Sequence, residues 1–210
     1  MKRYATHISN GGWVLSINLA RQLLALAFLM VLVRAFEKEA VGQFQFVIAA
    51  VGIAGIFNLS GLGQAVIQSV ARGHPGTFRT TLKWRLAGSV AGSAAIVIYA
   101  MLLPEGDPMR PALIAAALLF PLAHGLSGWT DVQAGEGKFK LNAIWQGMAY
   151  LLSYGGMMLA LWLGTPDILW LVVIMKTALA VVNLAAVRTI LRRIPPDSMQ
   201  PSNIQAPAVK

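Results

Sequence analysis

The chain has 210 residues, 57% hydrophobic and only 12% charged, with a net charge of +9 and a mean hydropathy of +0.64. That balance lies outside the range of soluble domains and marks an integral membrane protein. The basic residues punctuate apolar runs instead of forming one polar face, which argues against nucleic acid as a partner. The absence of cysteine excludes disulfides, thiolate catalysis and Cys-based metal sites.

In chain order, residues 1–12 form a basic segment without a signal peptide's apolar core or small-residue cleavage site. A spanning helix needs about 20 mostly apolar residues. The apolar runs predict six spans, near 13–33, 42–62, 84–103, 111–131, 143–163 and 168–190. Asn18, Arg21 and Gln22 interrupt the first run, so it reads as a retained helix. Residues 63–72 read as a continuation of the second span beyond a bend at Gly61 and Gly63. Gly88 and Gly92 form a GxxxG pair in the third span, suited to close helix packing. Gly, Pro and charged residues at 37–39, 73–76, 104–108, 135–138 and 164–167 mark short connections. The expected architecture is therefore an all-α membrane bundle over 13–193, preceded by a cytoplasmic segment, 1–12. A disordered tail or linker, 194–210, follows.

An even number of spans puts both termini on one side. With the termini in the cytoplasm, that face carries Lys2, Arg3, Arg72, Arg79, Lys83, Arg85, Lys138, Lys140, Arg188, Arg192, Arg193 and Lys210. The opposite face carries Arg34, Lys38 and Arg110. The positive-inside rule then orients the chain with both termini inside.

Two cations remain. Arg21 and Lys176 sit near the middle of the first and sixth spans, where a charge costs about 2.5–3.5 kcal/mol on insertion scales. No acid within the apolar runs is expected to neutralise them, so they call for an anionic ligand. Each lies about 12 Å from its own membrane face, from opposite sides. Their depths therefore differ by only about 6 Å in a core of about 30 Å, and one midplane site is expected to take both.

Asn18 and Gln22 flank Arg21. His124, Ser127, Gly128 and Asp131 share a face of the fourth span, and Gln146, Tyr150 and Ser153 a face of the fifth. The expected substrate-binding set is Arg21, Lys176, Asn18, Gln22 and Gln146. For Gln146, Asn183 and the serines, interhelical hydrogen bonding is the competing role. His124 is the candidate for proton coupling, because imidazole titrates near neutral pH. The six tryptophans read as interfacial anchors, with Trp145 also able to stack on a sugar. No carboxylate pair suited to sugar transfer, metal-binding cluster or Walker A segment occurs, so neither an enzyme nor a cofactor is expected.

Several stretches carry a resemblance. Gly11, Gly12 and Trp13 open the first span. Residues 32–36 (LVRAF), 41–44 (VGQF), 58–72 (NLSGLGQAVIQSVAR) and 133–140 (QAGEGKFK) follow. Together they resemble the N-terminal part of lipid-linked oligosaccharide flippases. These are the Wzx-type polysaccharide exporters of the multidrug/oligosaccharidyl-lipid/polysaccharide exporter superfamily.

The resemblance covers about residues 10–193. It implies one six-helix lobe of a two-lobe, alternating-access exporter of the bacterial inner membrane. The implied partners are a polyprenyl-diphosphate-linked oligosaccharide, membrane lipids, and a second lobe or a second copy of the chain. Basic cavity residues are implied to meet the diphosphate, and Arg21 occupies a first-helix position for that role; no family motif surrounds Lys176. Two readings from other classes are a noncatalytic scaffold of a polysaccharide polymerase or synthase complex and a membrane glycosyltransferase. The absence of paired carboxylates weighs against the second.

Overall fold

The computed structural model describes residues 2–59, 61–164 and 167–194, with side chains from Gly11 onward. The expected tail beyond Ile194 lies outside the described residues. Eight α-helices and no strand are present among them: α1 (Lys2–Ala35), α2 (Lys38–Ala54), α3 (Gly61–Ala71), α4 (Thr77–Leu102), α5 (Met109–Ala123), α6 (Trp129–Gly135), α7 (Phe139–Trp162) and α8 (Ile168–Arg193). Helix α1 begins at Lys2, so residues 2–12 are helical and continuous with the first predicted span.

Among the described residues, five helical stretches are long and apolar enough to cross a membrane: Gly11–Ala35, Lys38–Asn58, Thr77–Leu102, Met109–Gly135 and Ile168–Arg193. The remaining predicted span coincides with α7, whose 24 residues reach about 36 Å. Asn142, Gln146, Tyr150 and Ser153 dilute its apolar character. The chain is a helical membrane bundle.

Helix α5 lies between α4 and α8. Its Ala112, Ala116, Ala117 and Ala123 are buried and let these neighbours approach closely, while Leu113 and Phe120 fill the remaining space. Helix α7 packs on the other side of α8, and α1 packs on α7 at the edge. Only Phe28 and Leu32 of α1 are buried among its described side chains. One core cluster, including Phe28, Phe44, Val51, Leu113 and Leu171, fills the end where α1 joins α2. A second, with Val66, Phe78, Trp129, Val132 and Val187, fills the end carrying α3 and α6.

Two predicted spans are broken. The second leaves α-geometry at Gly55 for a 3-10 turn ending at Asn58, and Leu59 adopts φ 51° before α3 starts. Helix α3 nevertheless runs on in the same direction, since Ala54, Phe57, Gly63 and Ser69 lie in turn against Gly92, Gly88, Arg85 and Thr77 of α4. It continues the second span, with the break at Gly55–Leu59 and not at Gly61 and Gly63. The fourth span contains Pro121, which has no N–H to give the Ala117 carbonyl. Ser93 Oγ of α4 donates to that carbonyl instead. The helix stops at Ala123, passes through a 3-10 turn at Gly125–Gly128 and resumes as α6. At membrane depth every freed carbonyl needs a donor. Asn183 Nδ2 supplies Ala123 O at 2.7 Å, and Ser127 Oγ supplies His124 O at 2.7 Å.

The GxxxG pair is a packing surface. A Cβ on Gly88 would collide with the Phe57 carbonyl, and one on Gly92 would come within 3.0 Å of Ala54 O. The absence of side chains there lets the end of α2 lie directly on α4. At the C-terminal end of α8, Arg79 donates to Leu191 O and to O of the capping residue Ile194 at 3.2 and 2.8 Å, satisfying carbonyls that the helix leaves free.

Candidate functional site

A third basic residue within the bundle, Arg85, does meet an acid, unlike Arg21 and Lys176 among the described residues. Asp131 of α6 accepts from Arg85 Nη2 of α4 at 2.6 Å, with the Arg85 side chain 8% exposed. Arg85 is thus a buried structural cation, and Asp131 is spent on it instead of lining a cavity with His124. Glycines make the room: a Cβ on Gly63 would stand 2.9 Å from both Arg85 Nη2 and Asp131 Oδ2, and one on Gly128 2.8 Å from Arg85 Nη1. The pair consequently ties α3, α4 and α6 together.

Arg21 and Lys176 have different surroundings. Lys176 is 3% exposed, facing α5, with Nζ 3.1 Å from His124 Nε2. The His124 ring stacks on Phe120 with centroids 4.6 Å apart. Two turns along the same face of α8, Asn183 Oδ1 accepts from Trp129 Nε1 at 2.7 Å. Asn183 therefore grips the α5–α6 break on both sides, through Ala123 O and the Trp129 indole.

Arg21 instead points outward from α1, and its guanidinium carbon lies 5.7 Å from the centroid of the Tyr150 ring on α7. Such an arrangement holds a cation through the ring's quadrupole while leaving its N–H groups free at the edges. No carboxylate pairs with Arg21 among the described residues. Tyr150 Oη donates to Gln146 Oε1 at 3.4 Å, and Gln146 Nε2 donates to Asn142 Oδ1 at 2.7 Å. These three residues are spaced by four, so they form a ladder along one face of α7.

The two helices run in the same direction. Trp13 meets Lys140 at 5.6 Å, Arg21 meets Tyr150, and Phe28 meets Tyr154 at 5.8 Å between ring centroids. Gly147 brings the backbones together, since a Cβ there would lie 3.1 Å from Ile17 Cδ1. The result is a seam of aromatic rings, amides and one guanidinium.

Of the predicted set, Arg21, Asn18 and Gln22 share α1, and Gln146 lies on the ladder that leads to Arg21. Asn18 is exposed and donates to Val14 O of its own helix at 3.0 Å, while Gln22 is exposed beside it. Lys176 and His124 form a separate interior pair. Asn142 and Tyr154 were not singled out from the sequence, although their spacing of four from Gln146 and Tyr150 was the available signal. Among the tryptophans, Trp13, Trp84, Trp162 and Trp170 are exposed as anchors would be, but Trp129 is buried and meets Trp145 edge to face at 6.5 Å. The interfacial assignment fails for Trp129 because Asn183 gives its indole N–H a partner inside the protein.

The family model for polysaccharide biosynthesis proteins matches residues 8–205. No curated protein and no solved structure matches the chain. With the match spanning nearly the whole sequence of this helical membrane bundle, the chain belongs to the polysaccharide biosynthesis protein family, the Wzx-type exporters and flippases, whose members are transporters rather than catalytic enzymes.

Proposed function

We propose that the chain is a six-span lobe of a flippase with both termini in the cytoplasm, moving polyprenyl-diphosphate-linked oligosaccharide across a bacterial inner membrane by alternating access. The observation that carries this reading is Arg21: an outward-facing guanidinium deep in a membrane helix, positioned by the Tyr150 ring and without a carboxylate. A planar guanidinium offers paired N–H groups that match phosphate oxygens, and a diphosphate supplies the missing anion. The ladder from Tyr150 through Gln146 to Asn142 provides acceptors and donors for sugar hydroxyls, with Asn18 and Gln22 on the opposite helix. The transporter is completed by a second lobe or a second copy, facing α1.

In this assignment Lys176 works with His124 inside the lobe. The pair joins α5 to α8 at the helix break, so a proton taken up by His124 would set two cations against each other and loosen that joint. Proton coupling is therefore assigned to the pair and anion binding to Arg21.

Binding of a fluorescent polyprenyl-diphosphate disaccharide to the protein in nanodiscs tests the site. Charge-assisted hydrogen bonds worth about 1.5–3 kcal/mol correspond to a loss of roughly 10- to 150-fold for Arg21→Ala. Arg21→Lys should retain part of the affinity, as a point charge without the fork. Unchanged binding in Arg21→Ala would remove the proposed anion site.

A further inference from the structure

An apolar crevice of about 360 Å³ begins one helical turn beyond Arg21. Ala25 and Leu29 of α1 form one wall and Ile48 of α2 the other, while Met157 of α7 and Met175 of α8 form the floor. Tyr154, one turn along α7 from Tyr150, stands at the end nearest the cation. Helices α1 and α2 touch mainly near their connection, where Phe28 and Phe44 meet edge to face at 5.7 Å. They diverge toward Arg21, and the crevice is the space between them.

Arg21 and Ala25 are separated by about 6 Å of helix rise, so a molecule with an anion at Arg21 has its next atoms at the mouth of this apolar trench. Its depth selects the occupant. Arg21 lies eight residues beyond Trp13, where the first predicted span begins, about 12 Å into it, whereas a resident phospholipid keeps its phosphate in the headgroup layer. A lipid whose anionic head reaches Arg21 has left that layer and is in transit. The crevice extends from Arg21 toward the α1–α2 connection, the direction in which the chain of a cytoplasmic-leaflet lipid points. Pliable thioethers at Met157 and Met175 suit the uneven surface of a methyl-branched chain.

We infer that the α1–α2 crevice seats the phosphate-proximal part of the substrate's isoprenoid chain. This rests on the assignment of Arg21 to the diphosphate, and it makes Ala25, Leu29 and Ile48 determinants of lipid selectivity. Filling the crevice should exclude the chain without touching the anion site.

The test places a benzophenone side chain at Leu29, with Ile53 on the outward face of α2 as the control, in phosphatidylethanolamine/phosphatidylglycerol nanodiscs containing polyprenyl diphosphate. Irradiation should give polyprenyl adducts at Leu29 and mainly phospholipid adducts at Ile53. Ile48→Trp, or Ala25→Phe should the first variant fail to fold, should lower the Leu29 polyprenyl adduct several-fold. The same adduct composition at both positions, or a Leu29 adduct undiminished by both filling variants, overturns the crevice. Failure of the headgroup assignment looks different: the crevice adduct then forms equally with uncharged polyprenol and survives Arg21→Ala. If only the crevice is wrong, Arg21-dependent binding of the diphosphate persists while Leu29 captures phospholipid.

Discussion

Arg21 and Lys176 raise the same question in the sequence, since each is a basic residue inside an apolar run. Their neighbours separate them. Lys176 is enclosed and has an imidazole at 3.1 Å, whereas Arg21 faces outward over a phenol ring. Depth along a helix was legible from spacing, but the direction of each side chain depends on which helices lie alongside, and spacing does not contain that. The consequence is a measurable asymmetry. Lys176→Met replaces a buried cation by an apolar chain of similar length and leaves only a neutral imidazole beside it, so no uncompensated charge remains. It should leave lipid-diphosphate binding close to wild type, where Arg21→Ala weakens it by about 10-fold or more. His124→Ala leaves the buried lysine without its imidazole and should lower stability by about 1–3 kcal/mol, read as the shift in thermal unfolding of the protein in nanodiscs. A loss of binding in Lys176→Met as large as that of Arg21→Ala would return Lys176 to the substrate site.

At the scale of elements, breaks in the helices organise the bundle. The apolar runs marked where spans lie, and Gly88 with Gly92 announced a close contact that the structure places between α4 and the end of α2. Pro121 in the sequence signals a missing hydrogen bond, but not that Ser93, 28 positions earlier, would fill it. The Arg85–Asp131 pair was hidden for a related reason: Arg85 counted among cytoplasmic charges and Asp131 among cavity residues, and only the meeting of α4 with α6 joins them. Removing one partner of a buried pair leaves an uncompensated charge and typically costs about 3–5 kcal/mol, whereas replacing both by apolar residues is often close to neutral. Asp131→Leu should therefore unfold at markedly lower temperature, and Arg85→Met combined with Asp131→Leu should recover most of the loss. Equal destabilisation in the single and double variants would show that the pair does not latch α6 to α4. Gly88→Ala should be destabilising as well, because the obstacle is the Phe57 backbone and not a side chain that can turn away.

For the whole molecule, the positive-inside count and the helix order make a joint statement about orientation. Both ends of α7 decide it, because this helix is less apolar than the five clear spans and its crossing fixes which side α8 starts from. Burial favours crossing: α7 lies alongside α1 and α8, and Ser153, its buried hydroxyl, donates to Ala149 O of the same helix at 2.7 Å. The polar ladder that lowers its hydropathy faces α1, so the dilution reflects the seam and not exposure of the whole helix to water. The cysteine-free sequence makes the test direct, since each introduced thiol is the only one. With the termini inside, a membrane-impermeant maleimide should label Glu105→Cys and Leu163→Cys on intact spheroplasts. His74→Cys and Lys138→Cys should react only after permeabilisation. Labelling of Leu163→Cys with the second group would mean that α7 does not cross, and the reverse pattern throughout would invert the bundle. In an inverted bundle Arg21 would be entered from the outer leaflet and the α1–α2 crevice would point toward the cytoplasm, so the direction of lipid entry stands or falls with these four thiols.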